Sequence, residues 1–327
     1  MANEPEFHKA LGERYTALED SLDEDEPDDT RQLWHTPTEL FKPYYGEAIA
    51  RYLIDNYRLW AYPYHDLIIY EIGAGNGTLM LNMLDYIRKM DPEVYTRTQY
   101  RIIEVSSSLA SMQRERLKAQ PRSVSHADRV QIINRSVFDW NEHVSSPCFF
   151  LTLEVIDNFA HDAIRYNPVD NQPLQCYILI DELGEFYELY TRGLDPITKR
   201  YLQVRDRACE LPGRASALQQ VSKLLHKAVA RAPLMPNLTP PEFIPTRLIQ
   251  FFEILRKYFP RHNLLCNDFH TLPGSIAGYN APVVQTRYKR RTVPVTTPLV
   301  RNFLYLLFAS YDISEHSQTE KENLCVA

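Results

Sequence analysis

The sequence predicts an α/β protein: an open, doubly wound sheet of parallel strands with a glycine-rich turn after the first of them. Three observations carry this. In Leu67–Leu79, LIIYEIGAGNGTL, a continuous apolar run and an acid lead into Gly73, Gly75 and Gly77, and a helical pattern follows at once. Apolar runs without alternation are strands buried on both faces. Runs of the same kind return in YRIIEV ending at Val105, VQII ending at Ile133 and CFFLTL ending at Leu153. Strands separated by helices make parallel sheets. Finally, acids gather at or just beyond the run ends, at Glu71, Glu104, Asp139 and Glu154, along the edge where open α/β sheets bind ligands.

In chain order, residues 1–29 hold eleven acidic side chains against two basic ones. Such a head repels itself and buries nothing, so 1–30 is expected to be a mobile tail. A helical cover is expected over 31–66, where an aromatic, proline-punctuated stretch turns helical near Tyr45 with Ala48, Ile49, Tyr52 and Leu53 at core spacing. It reads either as a cap on a ligand crevice or as a helix packed on the sheet edge. The main domain spans 67–300. Beyond Gly77, Leu79, Met80, Met83, Leu84, Ile87 and Met90 recur at helical spacing, so Thr78–Met90 should pack one face on the sheet. Ser106–Lys118 reads as the next helix, with Leu109, Met112, Arg116 and Leu117 in sequence.

SVFDW after the third strand brings Asp139, and EVIDNFAHD after the fourth brings Glu154, Asp157, Asn158 and His161 within eight residues. QCYILI and EFYELY read as a hairpin joined by DELG and added to the sheet. Leu218–Arg231 is expected to be helical, and the five prolines from Pro233 to Pro245 make 232–245 a semi-rigid connector or lid. Leu248–Phe259 resumes a helix. HNLLCNDF is expected as a strand with Asp268 at its end, Leu272–Ala281 as a loop overhanging the ligand face, and APVVQTRY as a final strand. A divergent tail occupies 301–327.

Hydrophobic residues make up 44% of the 327 and the net charge is -6, most of it from the head, so the body is near neutral. A nucleic-acid binder would carry a stronger basic field than the single KRR at Lys289–Arg291 provides. No apolar run is long enough for membrane insertion. Five scattered cysteines without a C-x-x-C pair indicate a reducing compartment and argue against structural zinc. Neither a secretory signal nor an arginine-rich presequence is visible at the start.

The glycine spacing separates two ligand classes. A dinucleotide fingerprint has G-x-G-x-x-G, with pyrophosphate on the helix N-terminus. Here the third glycine comes one residue early and Glu71 stands two residues before the first. An acid ahead of G-x-G-x-G suits S-adenosyl-L-methionine, a cation through its sulfonium and amino group. The cofactor-binding candidates are therefore Glu71, Gly73, Gly75 and Gly77, with Glu104 for the ribose hydroxyls and Asp139 for the adenine amino group. The structural alternatives are an ordinary glycine turn, a surface acid at Glu104 and a capping aspartate at Asp139. The catalytic candidates are Glu154, Asp157 and His161. Two carboxylates three residues apart bracket a guanidinium through paired N–H···O bonds and accept the proton it loses. Their alternatives are a capping arrangement at the turn and a structural histidine. No metal is required.

In this order the motifs resemble the MidA-like family of S-adenosylmethionine-dependent methyltransferases. The resemblance runs from Leu33 to Val300 and rests on TPTELFKPYYGE, EIGAGNGTL, IIEVSSSL, LEVIDNFAHD, NDFHTLP and GYNAPVVQT. It implies a class I (Rossmann-like) methyltransferase sheet with a helical appendage and lid. The family's mitochondrial members are complex I assembly factors that symmetrically dimethylate an arginine on a core subunit. The resemblance thus implies that partner and a mitochondrial location, with the cytoplasm as the alternative. It also implies that Glu71, Gly73, Gly75 and Gly77 contact the cofactor, that Glu104 is the ribose acid, and that Glu154 and Asp157 face the acceptor. A non-catalytic assembly factor that keeps the cofactor pocket is the second reading; a nicotinamide-dependent oxidoreductase is disfavoured by the glycine spacing.

Overall fold

The computed structural model describes residues 36–121, 125–182, 186–209, 238–268, 283–288, 291–296 and 324–326. In chain order the elements are α1 (Pro37–Leu40), α2 (Tyr44–Trp60), β1 (Leu67–Ile72), α3 (Thr78–Met90), α4 (Pro92–Thr96), β2 (Thr98–Ile103), α5 (Ser107–Lys118), β3 (Val130–Ile133) and β4 (Cys148–Leu153). They continue with β5 (Asp162–Tyr166), β6 (Pro173–Ile180), β7 (Phe186–Thr191), α6 (Pro196–Cys209), β8 (Glu242–Ile244), α7 (Thr246–Tyr258), β9 (His262–Asn267), β10 (Val283–Tyr288), β11 (Arg291–Thr296) and β12 (Leu324–Val326). The chain divides into two compact units, Thr36–Val284 with Val295–Ala327, and Met1–His35 with Gln285–Pro294. The main sheet and the site belong to the first.

Six strands form that sheet in the order β12-β9-β4-β1-β2-β3, every pair parallel. All six residues of β1 are buried, because its alternating side chains feed two cores. Ile68, Tyr70 and Ile72 enter one, where Tyr70 stacks on Phe150 at 5.5 Å and α7 supplies Leu248, Phe251 and Leu255. Leu67 and Ile69 enter the other, formed with α2 and α3 through Leu53, Tyr57, Leu79, Met83 and Ile87. Each such side chain contributes about 1.5–3 kcal/mol by leaving water. The helices on that second face come close: a Cβ at Gly46 of α2 would lie 2.7 Å from the Asn82 Cβ of α3.

Register turns this sheet into a platform. Ile72 pairs with Ile103 and Thr152, and Leu153 with Asn267, so β1, β2, β4 and β9 end almost level. The next residues in the chain are Gly73, Glu104, Glu154 and Asp268. All four therefore emerge at one edge.

Several expectations are corrected here. The β6–β7 hairpin does not extend the main sheet; it pairs with β5 and β8 in an antiparallel sheet of order β7-β6-β5-β8. Its partners are short and half polar, which hid them, and β8 lies within the stretch expected to be a connector. β10 pairs with β11 in a two-stranded sheet, and the place beside β9 is taken by β12 from the divergent tail. The helix α5 buries Ala110, Gln113 and Leu117 and leaves Met112 exposed, a face obscured by the polar glutamine. The acidic head, the helix expected at Leu218–Arg231 and the overhanging loop lie outside the described residues. Among the described residues no helix is long and apolar enough to cross a membrane.

Candidate active site

The turn after β1 needs its glycines. Gly73, Gly75 and Gly77 have φ of 66°, 51° and 71°, the left-handed region that a Cβ penalises. A Cβ on Gly75 would find nothing within 4 Å, so the backbone there faces open space. Glu71, 4% exposed, accepts a hydrogen bond from the Tyr100 hydroxyl at 2.7 Å. Burial raises its pKa to about 7, against the Tyr100 bond and with help from the charge of Glu104. Near neutral pH it is part-protonated, and a cation would draw it to the carboxylate form.

Glu104 is also buried and accepts from the Ser106 amide at 2.9 Å. Its other oxygen receives the Gln113 carboxamide at 3.4 Å, and the same Nε2 donates to the Gly75 carbonyl at 2.8 Å. Asp139 closes the short turn Val137–Asp139 after β3, its side chain exposed.

Just beyond β4 Glu154 takes a left-handed φ of 55° and its amide donates to the Asn267 carbonyl at 2.7 Å. The turn Ile156–Asn158 follows. One oxygen of Asp268 receives the amides of Ile156 at 3.0 Å and Asp157 at 3.2 Å. Burial first, and the charge of Asp268 second, raise Glu154 to about 7 and Asp157 to about 6. The site thus holds three acids where two were expected, and two of them titrate close to neutrality, the range in which a general base works best. Asn158 donates to Asp157 at 2.7 Å. His161 hydrogen-bonds the Phe159 carbonyl through Nδ1 at 2.7 Å, which puts its proton on that atom; its Nε2 is buried without a partner and burial lowers its pKa. The charge that bears on it is that of Asp162, and the three acids assemble without it.

The N-terminal helices reach both halves. Glu39 of α1 accepts from the Thr78 hydroxyl at the glycine turn, and the Tyr45 hydroxyl of α2 accepts from Asn267 at 2.6 Å. Because α2 also packs on the sheet face, it both covers and buttresses the edge.

The sequence model of a family described as putative S-adenosyl-L-methionine-dependent methyltransferases matches residues 48–318. The chain belongs to this family. S-adenosyl-L-methionine is accordingly its cofactor. Similar proteins include the mitochondrial protein arginine methyltransferase NDUFAF7 homolog of Schizosaccharomyces pombe, 32% identical over 250 residues, covering 73% of this chain and 51% of the relative. The homolog of the same name in Saccharomyces cerevisiae is 24% identical over 232 residues, covering 69% and 51%. The chain therefore spans about half the length of the curated relatives it matches. Among solved structures, an uncharacterized protein from Burkholderia thailandensis superposes with a TM-score of 0.51 at 16% identity, covering 84% of this chain and 64% of that one. This last likeness is one of fold.

The residues present fit the family's cofactor. The open space at Gly75 would admit a ligand to the backbone, the Glu104 carboxylate is held by two donors at the end of β2, and a cation would relieve the buried Glu71. Sequence reasoning missed Gln113, Tyr45 and the role of Asp268. The strand-end logic that picked Glu104 applies equally to Asp268, whereas a glutamine inside a helix and a tyrosine in the cover carry no such signal.

Proposed function

We propose that the chain is a protein arginine N-methyltransferase that symmetrically dimethylates an arginine of a mitochondrial complex I subunit during assembly. The observation that carries it is the trio Glu154, Asp157 and Asp268, level with the glycine turn on one sheet edge; the names of the curated relatives support it. Glu71, Gly73, Gly75, Gly77, Glu104 and Asp139 hold the cofactor, which supplies an electrophilic methyl group. Glu154 and Asp157 would bracket the guanidinium, orient one of its nitrogens for methylation and take the proton that nitrogen loses. Alignment and proton handling are the chain's contributions.

The test is to incubate the chain and its Glu154→Gln variant with methyl-labelled cofactor and a mitochondrial protein extract, then hydrolyse the products to amino acids. Label in symmetric dimethylarginine, lost in the variant at unchanged cofactor affinity, is expected. Full transfer by the variant, or label in another amino acid, refutes the assignment.

A further inference from the structure

Gln113 is 0% exposed, and its Oε1 is buried without a hydrogen-bond partner. Its neighbours on the buried face of α5 are Ala110 and Leu117, so an apolar side chain would fill this position without leaving an amide oxygen unsatisfied. What the glutamine alone provides is Nε2, which bonds the Gly75 carbonyl at 2.8 Å and reaches Glu104 at 3.4 Å. Those are the open point of the glycine turn and the acid at the end of β2. The stem, too, abuts the turn: a Cβ on Gly77 would lie 3.7 Å from the Gln113 Cγ.

We propose that Gln113 is a positioning residue for the cofactor, a donor that fixes the spacing between the Gly75 backbone and the Glu104 carboxylate. With the Ser106 amide on one oxygen of Glu104 and Gln113 on the other, the carboxylate is oriented before any ligand arrives. A preset acceptor binds without losing side-chain freedom at that moment. This inference rests on the cofactor assignment above.

The test is calorimetric titration of the full chain with S-adenosylhomocysteine, beside thermal unfolding, for the wild type, Gln113→Leu and Gln113→Glu. Leucine keeps the bulk and removes the donor; the expected affinity is roughly 10- to 100-fold weaker, the loss of a hydrogen bond to a charged group, with the melting temperature little changed. In Gln113→Glu the new carboxylate cannot donate and repels Glu104, so binding fails at pH 8 and recovers relative to wild type near pH 5, where a proton restores the donor. A residue that merely filled space would leave Gln113→Leu with wild-type affinity, and Gln113→Met, which also keeps the bulk without a donor, decides the matter if Gln113→Leu fails to fold. Wild-type binding with Gln113→Leu within twofold, or no recovery at low pH, overturns this inference alone. A wild type that binds no S-adenosylhomocysteine overturns the cofactor assignment with it.

Discussion

Glu71 should make the fold less stable than it need be, and Glu71→Gln tests this. Burial holds its carboxyl at about 7, against an ordinary 4.5. Between those values the native chain keeps a proton that the unfolded chain has released, so the contribution of the neutral form is complete below about pH 4.5 and is lost as pH rises through 7. Each tenfold difference in proton affinity is worth about 1.4 kcal/mol, which makes the loss at pH 8 roughly 3 kcal/mol. Glutamine is nearly isosteric, still accepts the Tyr100 hydroxyl and has no proton to lose. Urea unfolding of both proteins at pH 5 and pH 8 isolates this residue, because Glu154 and Asp157 titrate identically in each and cancel in the difference. The expected gap is about 1 kcal/mol at pH 5 and roughly 3 kcal/mol at pH 8, both in favour of the variant, while its affinity for S-adenosyl-L-methionine falls. A gap independent of pH, or a stabilised variant that binds the cofactor as the wild type does, would refute the reasoning.

Cofactor binding near pH 7 should release a fraction of a proton as the cation draws Glu71 to its ionised form; calorimetry in buffers of different ionisation enthalpy measures this, and proton uptake would be the contrary result. Gly75→Val should abolish binding, since a left-handed φ costs a side chain about 1–2 kcal/mol and the branched carbon would fill the open space above the turn; unaltered calorimetric affinity would place the ligand elsewhere. Asp268→Asn keeps an oxygen for the Ile156 and Asp157 amides but removes a charge. The carboxyl titrations of Glu154 and Asp157, followed by carbon NMR, should therefore move below about 7 and about 6, and midpoints that stay put would show the charge to be immaterial. Phe150→Ala, which empties the centre of the aromatic core, should cost roughly 3–5 kcal/mol in urea unfolding.

The main sheet was legible because central parallel strands buried on both faces write themselves as apolar runs, as β1 and β4 do, while β2, β3 and β9 keep shorter apolar stretches between polar residues. Their ends then located Glu71, Glu104, Glu154 and Asp268 without further knowledge. Pairing between elements distant in sequence left no such trace. Asp162–Tyr166 alternates weakly, so the partner of β6 could not be seen and the hairpin was assigned to the wrong sheet. Gln113 was hidden for the opposite reason: a polar residue on a helix reads as solvent-facing, and only the tertiary contact with the Gly75 carbonyl explains its burial.

The acids also say something jointly that none says singly. Glu71 and Glu104 lie at one end of β1 and β2, Glu154, Asp157 and Asp268 at the level ends of β4 and β9, and three of the five carboxyls are held at about 6 or 7 by burial before anything else. Like charges gathered on a sheet edge weaken a fold unless a cation relieves them. The two ligands of the proposed reaction are both cations, a sulfonium on the side of Glu71 and a guanidinium on the side of Glu154. After transfer the sulfonium would be a neutral thioether, whereas the guanidinium gains a methyl group, gives up one proton and stays a cation, so the relief is withdrawn on the side of Glu71 alone. The burial that raises Glu71 would therefore bind the sulfonium reactant more strongly than the thioether product, and it would favour release of that product without a separate device.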